Sequence, residues 1–172
     1  FQEAEEEGLR MDTDMGLPRG LNERYIQYLD RHMDALGLNK LSKQQRQLLS
    51  LLCAAREPIP LSLLADAADL DEYDVLEELA VFGSLIRQSE DRDPEVALFT
   101  KSFRDFLLSR DCRRYSVNSS TGTDLLANFI MDNIRQEKDF TKKPYLDRNG
   151  FVHLLQYAQE EPEAVTEYMI GL

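Results

Sequence analysis

The stretch VALFTKSFRDFLL, residues 96–108, decides the fold of this chain. Its first four residues, Val96–Phe99, are apolar and favour a short β-strand. The segment Ser102–Arg110 then repeats apolar residues at the spacing of a helix with one buried side. The residues on that side are Phe103, Phe106 and Leu107. The stretch therefore predicts a strand that leads directly into an amphipathic helix.

The residues just before this stretch predict a β-hairpin. Leu85–Gln88 favours a strand, and Ser89–Pro94 is polar and highly charged, as a turn between two strands often is. Val96–Phe99 would then return as the second strand. We expect this two-stranded hairpin to form a small wing.

Three helices are predicted upstream of the wing. Ser42 and Gln45 have the spacing of a capping box at the start of the first helix. Pro58–Pro60 is expected to break the chain before a short second helix, Ser62–Ala68. Asp71 can cap a third helix that runs to Phe82. Helices followed by a β-wing are the order of a winged helix, which we expect over residues 41–115.

Further helices are expected on both sides of this unit. Residues 17–40 would hold a linker helix, Leu21–Leu36, and Ser116–Gly122 is interpreted as a polar linker. A C-terminal helical region is expected over residues 121–172, and residues 1–16 are an acidic lead, flexible or a fraying helix. The helices expected in the C-terminal region are Thr123–Glu137, Gly150–Gln159 and Pro162–Ile170. The predicted fold class is mostly α: a winged helix with a two-stranded β-wing, followed by a helical bundle.

Composition restricts the partners. The chain has 172 residues, with 32 Asp and Glu against 20 Lys and Arg, which gives a net charge of −12. Such a chain repels phosphate backbones unless a local basic face overrides the net field. There is no apolar run long enough for a membrane span and no signal peptide, so we expect a cytoplasmic protein without membrane contact. Because the chain lacks an initiator methionine, we expect it to be a piece of a longer protein.

The third predicted helix disfavours binding to nucleic acid. In a winged helix that binds DNA, this helix would read the base edges of the major groove. Residues 71–82 contain five acidic residues and no lysine or arginine. Reading guanine edges and neutralising phosphates both require cations. We therefore expect no nucleic-acid partner, although a stand-alone nucleic-acid-binding winged helix remains an alternative.

Basic residues gather after the second wing strand. They are Lys101, Arg104, Arg110, Arg113 and Arg114, with Asp105 and Asp111 between them. Two interpretations stay open. The cluster forms a surface for phosphate or for an acidic partner, or it balances nearby acidic segments within the protein. The candidate interaction residues are Lys101, Arg104, Arg113 and Arg114.

The sequence offers no catalytic or metal site. The two histidines, His32 and His153, lie far apart, and His153 is expected to pack between helices. Neither a phosphate-binding loop nor a nucleophile elbow occurs. Cys53 and Cys112 lack metal-ligand spacing, and the residues around Asp147 do not complete a calcium loop. We expect a protein that is not an enzyme.

Three phrases resemble parts of one family. Residues 98–107, LFTKSFRDFL, resemble the end of the winged-helix domain in NACHT-type signal-transduction NTPases of the STAND class, which often carry FHKSFRDFL there. Residues 17–25, LPRGLNERY, are similar to the LPxGLxxxY phrase that follows the ATPase core of these proteins. Tyr145 with residues 153–155, HLL, is similar to the start of their next helical region. The resemblance spans residues 17–157.

The resemblance implies a regulatory module without catalysis of its own. In this family the winged helix folds against the upstream ATPase core of the same polypeptide and helps hold it closed around ADP, until ATP exchange releases it. The resemblance thus implies ADP or ATP in the parent protein and no cofactor in this chain. The expected partners are the core and other protein subunits. An acidic adaptor unrelated to NTPases is a further alternative.

The resemblance also singles out Thr100. A histidine at the matching position of the family is often proposed to reach the β-phosphate of the bound nucleotide. A threonine hydroxyl can hydrogen-bond a phosphate but carries no charge. Thr100 is thus the candidate sensor of the nucleotide state. The alternative is that Thr100 simply caps the helix that follows.

Overall fold

A computed structural model describes residues 20–136, 144–163 and 166, and leaves the side chain of Arg113 undescribed. The described chain is predominantly helical, as predicted, with a small antiparallel β-sheet. The helices are α1 (Leu21–Ala35), α2 (Lys43–Ala54), α3 (Leu61–Ala68), α4 (Glu72–Ala80), α5 (Lys101–Leu108), α6 (Ser119–Arg135) and α7 (Pro144–Glu160). The strands are β1 (Ile59–Pro60), β2 (Ile86–Gln88) and β3 (Glu95–Leu98). None of the helices in these ranges is both long and apolar enough to cross a membrane.

The sheet has three strands, one more than the sequence predicted. The expected hairpin is present, because β2 pairs antiparallel with β3. The additional strand is β1, which pairs with the other side of β3 and places Ile59 opposite Val96. Residues 58–60 were expected only to break the chain. Pro60 is tolerated in β1 because an edge strand has one side without partners, where a missing N–H costs nothing.

The local signals at the helix starts are confirmed. Ser42 Oγ accepts a hydrogen bond from the Gln45 amide, and the Gln45 side chain accepts one from the Ser42 amide, both at 2.9 Å. Asp71 accepts one from the Asp74 amide at 2.8 Å and so caps α4. These bonds satisfy amides that the first turn of a helix leaves without a partner.

The predicted linker Ser116–Gly122 is wrong in its second half, because α6 already begins at Ser119. Asn118 caps this helix by accepting a hydrogen bond from the Ser120 amide at 3.0 Å. Gly122 is buried, and a Cβ atom there would overlap the carbonyl oxygen of Ser50 in α2. The small residues at the start of α6 thus allow the close packing of α6 on α2.

Other predicted boundaries shift. The described part of α7 already includes Pro144, six residues before the predicted start at Gly150. α5 is shorter than predicted and is followed by a 3₁₀ turn, Arg110–Tyr115. The acidic lead and most of the predicted helix Pro162–Ile170 lie outside the described residues.

One main hydrophobic core is formed by helices α1 through α6 and the sheet, and it includes residues at the start of α7. From α1, Leu29 and Met33 are fully buried in it. The ring of Tyr25 packs against those of Phe103 and Phe106, with centroids 5.2 Å from each. The predicted inward side of α5 is therefore confirmed, and α1 is fixed beside the amino end of α5.

Candidate functional site

A cleft with a basic lining lies where β2, β3, the carboxyl end of α2 and the amino end of α5 meet. Its volume is about 290 Å³. Four of its lining residues carry a positive charge, namely Arg56, Arg87, Lys101 and Arg104. We call this site the basic cleft. It is positive although the chain as a whole has a net charge of −12, so it attracts anions locally.

The cations of the basic cleft come from three separate parts of the chain. Arg56 follows α2, Arg87 lies on β2, and Lys101 and Arg104 belong to the first turn of α5. Arg104 Nε donates a hydrogen bond of 2.7 Å to the carbonyl oxygen of Cys53, which holds this guanidinium against α2. Arg56, Arg87 and Lys101 are exposed, and none of the three forms a salt bridge within the described ranges.

One carboxylate, Glu57, also lines the basic cleft, but it is engaged elsewhere. Arg148 and Asn149 of α7 donate hydrogen bonds to Glu57 Oε1, at 2.8 and 2.7 Å. These bonds hold the pKa of Glu57 below its ordinary value. The charge of Glu57 is therefore matched by α7 and does not neutralise the cations of the cleft.

Thr100 lies on the wall of the basic cleft and caps α5. Its Oγ1 accepts a hydrogen bond from the Phe103 amide at 3.2 Å. The same oxygen lies 3.2 Å from the hydroxyl of Tyr25 and 3.0 Å from that of Ser102. The capping role considered from the sequence is thus present. The hydroxyls of Tyr25, Thr100 and Ser102 form a hydroxyl cluster that joins α1 to the cleft.

The predicted interaction residues do not form one surface. Lys101 and Arg104 line the basic cleft, whereas Arg114 is bound within the protein. Arg114 pairs with Asp30 at 2.8 Å and donates to the carbonyl oxygen of Asn39 at 2.8 Å. Arg114 thus takes part in a charge pair within the protein. The side chain of Arg113 lies outside the described part of the chain.

Two residues of the basic cleft, Arg56 and Arg87, were not among the sequence candidates. Each is an isolated base in its own segment, so neither belongs to a visible cluster in the sequence. They meet Lys101 and Arg104 because β3 pairs with both β1 and β2. Ile86 is partly buried, whereas Arg87 and Gln88 are both exposed, so β2 shows no alternating pattern that would single out Arg87.

The exposed side of α4 carries no positive charge. Its acidic residues are Glu72, Asp74, Glu77 and Glu78, with Asp71 at the cap. Val75 and Leu79 form the buried side. Base edges and phosphates would meet carboxylates there, which is unfavourable for both kinds of contact.

The histidines and cysteines are placed for packing. His153 is fully buried, with Nε2 3.0 Å from the hydroxyl of Tyr145, as its predicted packing role requires. Burial lowers the pKa of His153 to about 4 and raises that of Cys53 to about 12. His32 stacks on Tyr28, with ring centroids 4.1 Å apart. Within the described ranges, no group of three or more His, Cys, Asp or Glu side chains is placed to bind a metal ion.

Comparisons with protein families, with curated proteins and with solved structures found no match to this chain.

Proposed function

We propose that this chain is a non-catalytic regulatory module of a STAND-class NTPase. It would dock on the upstream nucleotide-binding core and relay whether the core holds ADP or ATP. The observation that carries the proposal is the basic cleft beside Thr100, a positive surface on a chain with a net charge of −12. Such a cleft suits a partner that presents anionic groups, either nucleotide phosphates or carboxylates.

The order of elements supports a winged helix over residues 41–115. From α2 to β3 the chain forms a helix, a strand, two helices and two strands, and the three strands belong to one sheet. In a DNA-binding winged helix, α4 would enter the major groove. Because the exposed side of α4 carries carboxylates, we assign the unit to contacts with protein.

The hydroxyl cluster suggests how the cleft is coupled to α1. Thr100 has one hydroxyl hydrogen, and its nearest acceptors are the hydroxyl oxygens of Tyr25 and Ser102. A phosphate oxygen in the cleft would compete for that hydrogen. The contact between Tyr25 and Thr100 would then weaken, and α1 would be less firmly held. In the proposed parent protein, α1 follows the ATPase core, so this change would reach the junction between the two parts.

The proposal is tested by binding this chain to the separately expressed core of the parent protein. Calorimetry gives the affinity with ADP and with a non-hydrolysable ATP analogue. We expect binding to be about tenfold tighter with ADP, the size of a typical coupling between sites. Equal affinities would contradict the proposal, because a partner that binds two states equally well cannot shift the equilibrium between them.

A charge reversal tests the role of the basic cleft. Lys101→Glu should weaken binding to the ADP-bound core, and glutamate is well tolerated in the first turn of a helix. The matched control is Arg31→Glu, which makes the same charge change at an exposed position of α1 away from the cleft. Equal losses would assign the effect to net charge rather than to the cleft. Binding of the unmodified chain to random duplex DNA at physiological salt would favour the nucleic-acid alternative.

A further inference from the structure

A second recess lies at the opposite end of α2 from the basic cleft, between the carboxyl ends of α1 and α4. Its volume is about 740 Å³. We call it the α1–α4 groove. It shares no lining residue with the basic cleft. An inference about it therefore does not depend on the proposed function.

The α1–α4 groove is mainly apolar. Its apolar lining consists of Leu36, Leu38, Leu41, Ala80 and Val81. Leu41 and Val81 are buried at the base, whereas Leu36 is 58% exposed. A leucine this exposed beside an open recess leaves apolar surface in water, and covering it would be favourable.

The charges at the α1–α4 groove are mainly negative. Glu77 and Glu78 line it, and Lys40 is the one lining base. Ser42 donates a hydrogen bond of 3.1 Å to Glu78, which fixes this carboxylate at the groove. α1 and α4 end here and α2 begins here, so the partial charges of the helix termini are of both signs, and the carboxylates set the sign of the groove.

The outer side of α4 extends the groove. Tyr73, Leu76 and Ala80 follow a spacing of three and four residues, so they lie on one stripe of the helix, with Glu77 beside it. Ala80 lines the groove, and Tyr73 lies about 10 Å from Ala80 along the helix axis. Tyr73 is 72% exposed and Leu76 is 37% exposed. The result is an apolar stripe bordered by carboxylates.

We propose that the α1–α4 groove and the outer side of α4 bind a lysine- and arginine-rich amphipathic helix of a partner protein. Apolar side chains of that helix would cover Leu36, Leu76 and Tyr73, and its cations would meet Glu77 and Glu78. Nucleic acid is repelled by the same carboxylates. A second copy of this chain has a net charge of −12, and α2, its one described helix with bases and no acidic residue, is largely buried. Charge complementarity thus selects a basic partner.

The test uses a synthetic amphipathic helix of about 18 leucine and lysine residues, long enough for five turns. One tryptophan in its apolar side serves as the probe. The chain itself contains no tryptophan, so the emission reports only the peptide. We expect saturable binding and a blue shift of the emission as the tryptophan enters the groove.

Matched variants distinguish the groove from general charge attraction. Glu77→Lys should weaken binding about tenfold, and lysine suits the last turns of a helix, so the variant should fold. Glu90→Lys makes the same change in the exposed turn between β2 and β3, away from the groove, and should weaken it by less than about twofold. Leu36→Ala should also weaken binding, whereas Leu155→Ala, at an exposed leucine of α7, should not.

Three results would overturn the proposal. The first is non-saturable binding of the peptide. The second is an equal loss for Glu77→Lys and Glu90→Lys, which would indicate charge attraction alone. The third is a dimer in sedimentation that Leu36→Ala dissociates, which would identify a second copy as the occupant of the groove.

Discussion

Gly122 of α6 lies so close to the carbonyl oxygen of Ser50 in α2 that a Cβ atom on Gly122 would overlap it. The obstacle is backbone, not the end of a flexible side chain, so the two helices would have to separate. We expect Gly122→Ala to lower the free energy of unfolding by about 3 kcal/mol, at the upper end of what overpacking costs. Urea denaturation monitored by circular dichroism measures the change.

The control for this prediction is Gly150→Ala in α7. A Cβ atom on Gly150 would lie 3.9 Å from Ile130 Cδ1 and from Leu146 Cβ, which is ordinary van der Waals contact. Alanine favours a helix interior over glycine by about 1 kcal/mol, so this variant should be neutral or stabilised. A similar decrease in the free energy of unfolding for both variants would show that the loss for Gly122→Ala does not come from the close packing of α6 on α2.

Removal of one hydroxyl should loosen α1. Tyr115 donates a hydrogen bond to Asp30, and Arg114 donates to the Tyr115 hydroxyl at 3.1 Å. Because a hydrogen bond to a charged group is lost, Tyr115→Phe should cost about 2 kcal/mol of unfolding free energy. Tyr73→Phe, at a residue that is 72% exposed, should change it by less than about 0.5 kcal/mol. An unchanged free energy of unfolding for Tyr115→Phe would show that the hydrogen bond between Tyr115 and Asp30 does not stabilise the fold.

The capping role of Thr100 gives a prediction that does not depend on any nucleotide. Thr100→Ala removes the acceptor for the Phe103 amide and should destabilise the protein by about 1 kcal/mol. Thr100→Ser keeps a hydroxyl at the cap and should retain most of the stability. If both variants unfold at the urea concentration of the unmodified chain, the cap contributes nothing measurable.

His153 should make stability depend on pH in a defined window. Burial lowers its pKa from 6.5 to about 4 in the folded protein. Below pH 6.5 the unfolded chain therefore binds a proton more readily than the folded one. The contribution of His153 to the free energy of unfolding is constant above pH 6.5. It decreases as the pH drops from 6.5 to 4, and it does not decrease further below pH 4. The full loss is about 3 kcal/mol.

A variant separates this effect from the many carboxylates that titrate in the same range. His153→Gln keeps a neutral group that can hydrogen-bond the Tyr145 hydroxyl and cannot take up a proton. Its stability should be lower than that of the unmodified chain at pH 7.5, but should decline less between pH 6.5 and 4. Parallel curves of unfolding free energy against pH would show that His153 does not titrate differently on folding.

The elements that sequence patterns predicted well have local causes. The capping box of Ser42 and Gln45 and the inward side of α5 depend on residues within one or two turns of each other. The start of α6 was missed because its first turns contain small polar residues, which have no hydrophobic period and weak helix propensity. What favours a helix there is the packing of Gly122 against α2, and this contact joins residues 72 positions apart.

The candidate site was predictable only in part for the same reason. Lys101 and Arg104 follow Thr100 by one and four residues, so their proximity to it is visible in the sequence. Arg56 and Arg87 reach the basic cleft through the pairing of three strands, and no short pattern indicates which distant segments pair. Arg114, close to the cluster in sequence, instead pairs with Asp30 because the 3₁₀ turn after α5 directs it toward α1.

The three-stranded sheet has a consequence for behaviour at high concentration. Its outer strands are β1, which has two residues and contains a proline, and β2, which has three residues and carries exposed Arg87. Short edges with a proline or a charged side chain give a neighbouring molecule little backbone to pair with. Concentrated solutions of this protein should therefore resist intermolecular strand addition and the amyloid-type aggregation that begins from it.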